Sequence, residues 1–442
     1  MVLLCSTYDL GRQPFGLASA AAALKAAGHE VICCDLSRQK LDAEVVRRAT
    51  TIAFFLPMHT ATRLALPVID RVRAMNPDAQ IVAYGLYAPL NEQALREHAV
   101  TTILGGEFED DLVRAVGHRE AQVLVTGSVP RVTFRVPDRS GLLPLARYAT
   151  LQQGSERRIS GYTEASRGCK HRCRHCPIVP VYDGRFRIVP VPVVMADIAG
   201  QVDSGARHIT FGDPDFFNGI GHATAVVGEF AAQFPGISYD VTIKIEHLLQ
   251  YPDRLPMLRD SGCAFVTSAV ESVDDEVLAA LEKGHTRADF EQAVSVFDRL
   301  GLALAPTFVA FTPWTTAENY CELLQTIDRL GLIEHVAPIQ LAIRLLVTEG
   351  SRLLELPEIR KVTGAFDPGS LTYRWAHADP RVDGLQKEIE RLVGVNLSAS
   401  RRAVFDRIWQ VAHEVAALPP RPTSPPLASR ATIPYLNEPW YC

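Results

Sequence analysis

The chain has 442 residues and is 47% hydrophobic, enough for two or three domains with buried cores. Its 45 basic residues nearly balance 50 acidic ones, a net charge of −5 that argues against a general electrostatic grip on nucleic acid. The nine cysteines are odd in number and include the adjacent apolar pair Cys33-Cys34, which argues for a reducing cytoplasmic setting over a disulfide framework. The N-terminus lacks a secretory pattern, and no apolar run approaches the ~18 residues of a membrane span.

Residues 1–118 read as short apolar strands alternating with helices. Strands are expected at 2–5, 30–35, 51–56, 80–84 and 101–106, and helices at 16–27, 62–75 and from 107. This alternation predicts a parallel sheet covered on both faces, with any ligand beyond the strand C-termini. Residues 119–160 are polar and arginine-rich and read as a linker. Val123-Leu-Val and Val132-Thr-Phe-Arg-Val are possible strands in it, and 152–160 a loop.

From 161 to about 351 the pattern is strand then helix, six times. Strands are expected at 207–211, 239–245, 263–270, 303–311 and 338–346, and helices at 190–203, 221–234, 253–261, 287–300 and 316–330. The first unit carries Glu-Ala-Ser-Arg-Gly-Cys-Lys-His-Arg-Cys-Arg-His-Cys-Pro over 164–177, placing Cys169, Cys173 and Cys176 in a C-x3-C-x2-C spacing. Three thiolates on one loop suit an iron–sulfur cluster or zinc. With no fourth cysteine nearby, one corner of a cubane cluster is left open. The alternative is a closed zinc knuckle completed by His171 or His175.

This loop resembles the cluster loop of the radical S-adenosylmethionine (SAM) enzymes, with His175 where that family often has an aromatic residue. The resemblance implies a [4Fe-4S] cluster whose open iron holds SAM, a partial (β/α)6 barrel, and an electron donor such as flavodoxin or ferredoxin. Pro14-Phe-Gly-Leu and Gly28-His-Glu-Val are similar to the cobalamin-binding-like domain that precedes the barrel in one group of these enzymes. Cobalamin is therefore the further cofactor raised, although the Asp-x-His-x-x-Gly motif is absent. Asp213-Pro-Asp-Phe, Ala-Val-Glu-Ser-Val-Asp-Asp-Glu-Val-Leu and Lys283-Gly-His-Thr also resemble cobalamin-type radical SAM sequences.

Sites of parallel α/β barrels gather at the strand C-terminal ends. That rule selects Gly212 and Asp213, Lys244, Glu271 and Ser272, and Arg344 as cofactor-binding candidates. The resemblance implies that Gly212-Asp213 holds the SAM amine, with Asp213 a shorter carboxylate than the family's glutamate, and that Glu271 or Ser272 meets ribose or the methionine part.

Residues 352–418 read as a helical extension with helices at 384–393 and 400–416, and 419–442 as a proline-rich tail. Its end, Glu-Pro-Trp-Tyr-Cys442, is similar to the tail motif of the CUAEP/CCAEP-tail radical SAM (seleno)proteins, which implies a catalytic Cys442 and a selenocysteine codon directly after it. The expected activity is group transfer to a small metabolite, by methyl or another part of SAM. One alternative is aminocarboxypropyl transfer to a thiophilic acceptor such as trivalent arsenic. The competing class is a non-catalytic zinc- or cobalamin-binding module.

Overall fold

A computed structural model describes residues 1–116, 129–419 and 430–437. The N-terminal sheet contains β1 (Val2–Ser6), β2 (Val31–Asp35), β3 (Thr51–Phe55), β4 (Gln80–Tyr84) and β5 (Thr102–Leu104). All are parallel, in the order β2-β1-β3-β4-β5. The strands are buried on both faces because helices Phe15–Ala26 and His59–Met75 cover them, which is why they read as continuous apolar runs. This order puts the switch point between β1 and β3, where ligands of doubly wound sheets lie. The sequence pattern missed the short helices Ala43–Arg48 and Glu92–Glu97, each only six residues.

The connecting segment departs from expectation twice. Residues 132–136 form no strand, and Val123 lies outside the described residues. Where 152–160 reads as a loop, β6 (Thr150–Gln153) and β7 (Glu156–Thr163) form an antiparallel hairpin. The turn is Gly154-Ser155, with Gly154 at φ +57°, a conformation open to glycine.

β7 begins the half-barrel. It is followed by the small antiparallel pair β8 (Ser166–Gly168) and β9 (Phe186–Ile188), then by β10 (His208–Phe211), β11 (Ser238–Thr242), β12 (Cys263–Glu271) and β13 (Ala303–Phe308). Strands β7, β10, β11, β12 and β13 are parallel neighbours in that order. The sixth unit is reduced: Pro338–Leu341 is a 3-10 turn, and only a bridge from Phe311 to Arg344 continues the sheet. The hydrophobic helix face between β12 and β13 starts at a capping box, Thr286 with Asp289, and ends at Gly301 (φ +65°).

β14 (Thr363–Asp367) and β15 (Thr372–Trp375) form a separate hairpin. Helices Pro380–Val395 and Arg401–Val415 then pack Leu385, Ile389, Phe405 and Ile408 into the same core as Leu324 of barrel helix Ala317–Arg329. The chain returns at β16 (Tyr435–Leu436), antiparallel to β6 at the sheet edge. Among the described residues no helix is long and apolar enough to cross a membrane.

Candidate active site

The cysteine loop is a 17-residue excursion, 169–185, between β8 and β9. Gly168 sits at φ +74°, and a Cβ there would lie 2.4 Å from the Tyr182 ring and 2.6 Å from the Arg185 carbonyl, so the loop closes only over glycine. Asn218 clamps its first limb. Asn218 Oδ1 accepts from Lys170 N–H at 3.3 Å and stands 3.7 Å from Cys169 Sγ, while its amide donates to the Gly168 carbonyl at 3.4 Å.

Cys169 and Cys173 are buried, Cys176 is half-buried, and all three are free thiols. Burial pushes the Cys176 thiol up to about 12 and the Cys169 thiol upward as well. Such thiols ionise when a metal takes the proton's place. A single zinc ion, with Zn–S near 2.3 Å, would draw its sulfurs to about 3.8 Å of one another. Among the described residues no cysteine belongs to a set of three ligand atoms within 4.8 Å. His175 Nε2 is instead engaged by Glu271 Oε1 at 3.1 Å. Among the described residues the thiols are therefore not gathered as one closed zinc knuckle would hold them.

The sequence-selected residues fall into three groups. Gly212 lines both cavities, and a Cβ there would lie 1.8 Å from Tyr162 Oη, so a larger residue fits only if the Tyr162 ring moves. Asp213 is buried and braces the start of the loop, accepting from Ala165 N–H at 2.9 Å and the Ser166 hydroxyl at 2.5 Å. Burial raises its pKa to about 7 against those two bonds. Lys244 caps helix Ile245–Gln250 and donates to Glu246 at 3.2 Å.

Glu271 ends β12 at φ +69°, beside a register shift against β13. Its Oε1 accepts from both His175 and Lys283, the latter at 3.2 Å. Burial opposes ionisation, but Lys283 first and His175 second hold the carboxyl at about 2. Ser272 accepts from Asp274 N–H in a local turn. Arg344 stands at the junction with the C-terminal extension, its guanidinium on Asp383 at 2.7 Å, on the Trp375 carbonyl at 2.6 Å and over the Trp375 ring. Cys442 lies outside the described residues.

Sequence reasoning did not select Lys283, His285 or His247 as site residues, although all are buried at this face. Burial, then Lys283 and Lys244, lower the His285 pKa to about 4. The signal was present in Lys283-Gly-His-Thr, but no spacing rule separates these from ordinary strand-end charges.

Two cavities lie at this side of the half-barrel. One, about 270 Å³, lies inside the half-barrel, lined by Thr210, Asp240, Thr242, Thr267 and Thr307 and closed at one side by Tyr435 and Leu436. The other, about 290 Å³, lies between the barrel and the C-terminal edge of the N-terminal sheet, among Asp9, Phe15, Phe55, Phe108, Glu164 and Arg167. Arg12 and Gly212 line both.

Behind the second cavity, Arg167 from β8 is buried among three carboxylates: Glu164 at 2.7 Å, Glu109 at 2.8 Å and Glu107 at 3.7 Å. Burial raises the Glu107 pKa to about 7 despite Arg167. The folded protein therefore keeps a proton that the unfolded chain has released above its ordinary value of 4.5, so stability falls as pH rises through this window and levels off beyond about 7. Glu107→Gln, which still accepts from Tyr182, is expected to match the wild type near pH ~4 and exceed it near pH ~8 by at most about 3 kcal/mol, at about 1.4 per pKa unit. Chemical unfolding across that range measures it.

Residues 163–330 match the family model for the radical SAM superfamily. The half-barrel segment is thus where the chain matches the radical SAM family. Among solved structures, the chain is similar to the cobalamin-dependent S-adenosylmethionine radical enzyme OxsB with aqua-cobalamin bound (TM-score 0.70, 15% identity, 90% of this chain and 67% of that one). It is also similar to the radical S-adenosylmethionine methyltransferase TsrM from Kitasatospora setae, with tryptophan substrate and a SAM analogue bound (TM-score 0.57, 18% identity, 75% of this chain and 71% of that one). A curated relative, a tRNA-2-methylthio-N(6)-dimethylallyladenosine synthase of Bordetella petrii, is 22% identical over 282 residues, 60% of this chain and 55% of that protein. The chain thus spans about half the length of the curated relatives it matches.

Proposed function

We infer that the protein cleaves SAM reductively at a [4Fe-4S] cluster held by Cys169, Cys173 and Cys176 and passes part of SAM to a small acceptor. The observation that carries this reading is three free thiols on one loop of a half-barrel, a loop whose Ile178 and Tyr182 line the cavity facing the N-terminal sheet. The bound cluster supplies the electron and the open iron for SAM. The protein's part is to bind, orient and exclude water. Asn218 and Gly168 fix the loop, the backbone at Gly212 borders the SAM space, and the Lys283–Glu271–His175 group sets the charge beside the thiolates. A cytoplasmic electron donor such as flavodoxin or ferredoxin would reduce the cluster.

Which part of SAM moves depends on cobalamin. OxsB and TsrM have been solved with cobalamin bound, which supports it as an occupant of the second cavity. No histidine is among the described residues lining that cavity, so cobalt would take no imidazole from them. At about 290 Å³ the space is at the lower limit for even a drug-sized ligand (~300–1,000 Å³), and a corrin enters only if rings such as Phe15 and Phe55 turn aside. Retained cobalamin supports methyl transfer. A cobalamin-free enzyme supports transfer of another fragment, such as aminocarboxypropyl to a thiophilic acceptor. For the latter, Asn437, hydrogen-bonded to Thr150, is five positions before Cys442, a reach of at most ~17 Å. The net charge of −5 favours a small acceptor over the RNA of the methylthiotransferase relatives.

Anaerobic reconstitution with iron and sulfide tests the reading. A brown protein that releases 5'-deoxyadenosine or methylthioadenosine from SAM on reduction is expected. A colourless protein holding only zinc on sulfur ligands would overturn it.

A further inference from the structure

Beside the cysteine loop, three ligating side chains from separate elements converge. His171 comes from between the first two cysteines, Asp215 from the loop after β10, and His247 from helix Ile245–Gln250. One ligand atom from each lies within 4.8 Å of the other two. Asp215 and His247 have fully buried side chains, and His171 is 14% exposed. None of the three is required to hold the cysteine cluster.

The distances discriminate between readings. His171 Nε2 and His247 Nε2 are 3.3 Å apart, and His171 Nε2 is 3.7 Å from Asp215 Oδ2. Imidazole nitrogens at ~2.0–2.1 Å from one tetrahedral ion stand about 3.3–3.4 Å apart. His247 Nδ1 comes within 2.6 Å of Asp215 Oδ2, yet both atoms are buried without a hydrogen bond of acceptable geometry. Buried polar atoms left in that state carry an uncompensated desolvation penalty. A carboxylate–imidazole buttress for the loop would align that contact, whereas the observed arrangement leaves Asp215 Oδ2 available to a cation. Two imidazoles and one carboxylate are also the donor set that divalent ions of the zinc and ferrous type take, with positions left open.

We propose that His171, Asp215 and His247 form a site for one divalent transition-metal ion, separate from the cysteine cluster, with one imidazole nitrogen of each histidine and the Asp215 carboxylate as protein ligands and the remaining positions open to water or a substrate atom. This site does not rest on what the cysteines carry, because iron and zinc are counted separately.

The test uses full-length protein, reconstituted anaerobically with iron and sulfide, desalted, given Zn²⁺ and desalted again. Zinc is then read by mass spectrometry and by X-ray absorption at the zinc edge. The expected result is one zinc per chain with nitrogen and oxygen neighbours at about 2.0–2.1 Å, imidazole outer shells and no sulfur shell near ~2.3 Å. Asp215→Asn and His247→Ala should each weaken zinc binding about tenfold or more while the brown chromophore remains. Zinc well below one per chain, a sulfur shell, or unchanged binding in folded variants overturns the proposal. If a variant fails to fold, the wild-type spectrum alone decides. A proton relay through the same residues would give the zinc-free outcome.

Discussion

Arg167→Leu is expected to destabilise the protein by about 3–5 kcal/mol and to loosen the N-terminal sheet from the barrel. The guanidinium is 8% exposed and meets Glu164, Glu109 and Glu107. Glu109 and Glu107 belong to the N-terminal segment, while Glu164 and Arg167 flank the start of the cysteine loop. Removing the one cation leaves buried carboxylates facing each other, the situation in which breaking a buried pair costs most. Ser19 and Tyr182 donate to Glu109 and Glu107 but carry no charge. The ring of Phe108, over which Arg167 also lies, would keep its packing against leucine. The measurement is thermal and chemical unfolding with limited proteolysis, where cleavage between the two sheets should precede loss of the barrel. Arg167→Leu combined with Glu109→Gln should recover part of the loss. Equal destabilisation in the single and double variants would show that packing, not charge, dominates.

The same cluster shows what a sequence can reveal. The strands β1 to β4 stand where apolar runs predicted, and the helix expected from 107 begins at Glu109. Periodicity reports burial, and these elements are buried on whole faces. The hairpin β6–β7 was obscured because Gln152, Gln153, Glu156 and Arg157 read as loop, although a sheet edge tolerates them. The cysteine triad was legible because its spacing is local. The His171–Asp215–His247 group was not, because its members come from residues 44 and 32 positions apart in the sequence, and only the fold brings them together. Arg344, a charge at a strand end, stacks its guanidinium on Trp375 and pairs with Asp383, contacts that no local sequence pattern announces.

Lys283→Met is expected to lower the reduction potential of the loaded protein by about 100 mV, and Glu271→Gln to raise it. Lys283 is 3% exposed and its ammonium, paired with Glu271 at 3.2 Å, acts on Cys173 and then Cys176. Burial works against that charge, and Glu271 first, then the two sulfurs, keep it in place. Adding an electron to a site beside an ammonium is favoured. At an effective dielectric near 20, a unit charge several ångströms away is worth a few kcal/mol, and 59 mV corresponds to about 1.4 kcal/mol for one electron. Glu271 has the opposite sign, so the double variant should return close to the wild type. An ammonium that served only to satisfy a buried carboxylate would give a different pattern: Lys283→Met would cost stability with no shift in potential, and Glu271→Gln would rescue stability alone. Potentiometric titration followed by electron paramagnetic resonance, set beside unfolding data for the three variants, separates the two roles.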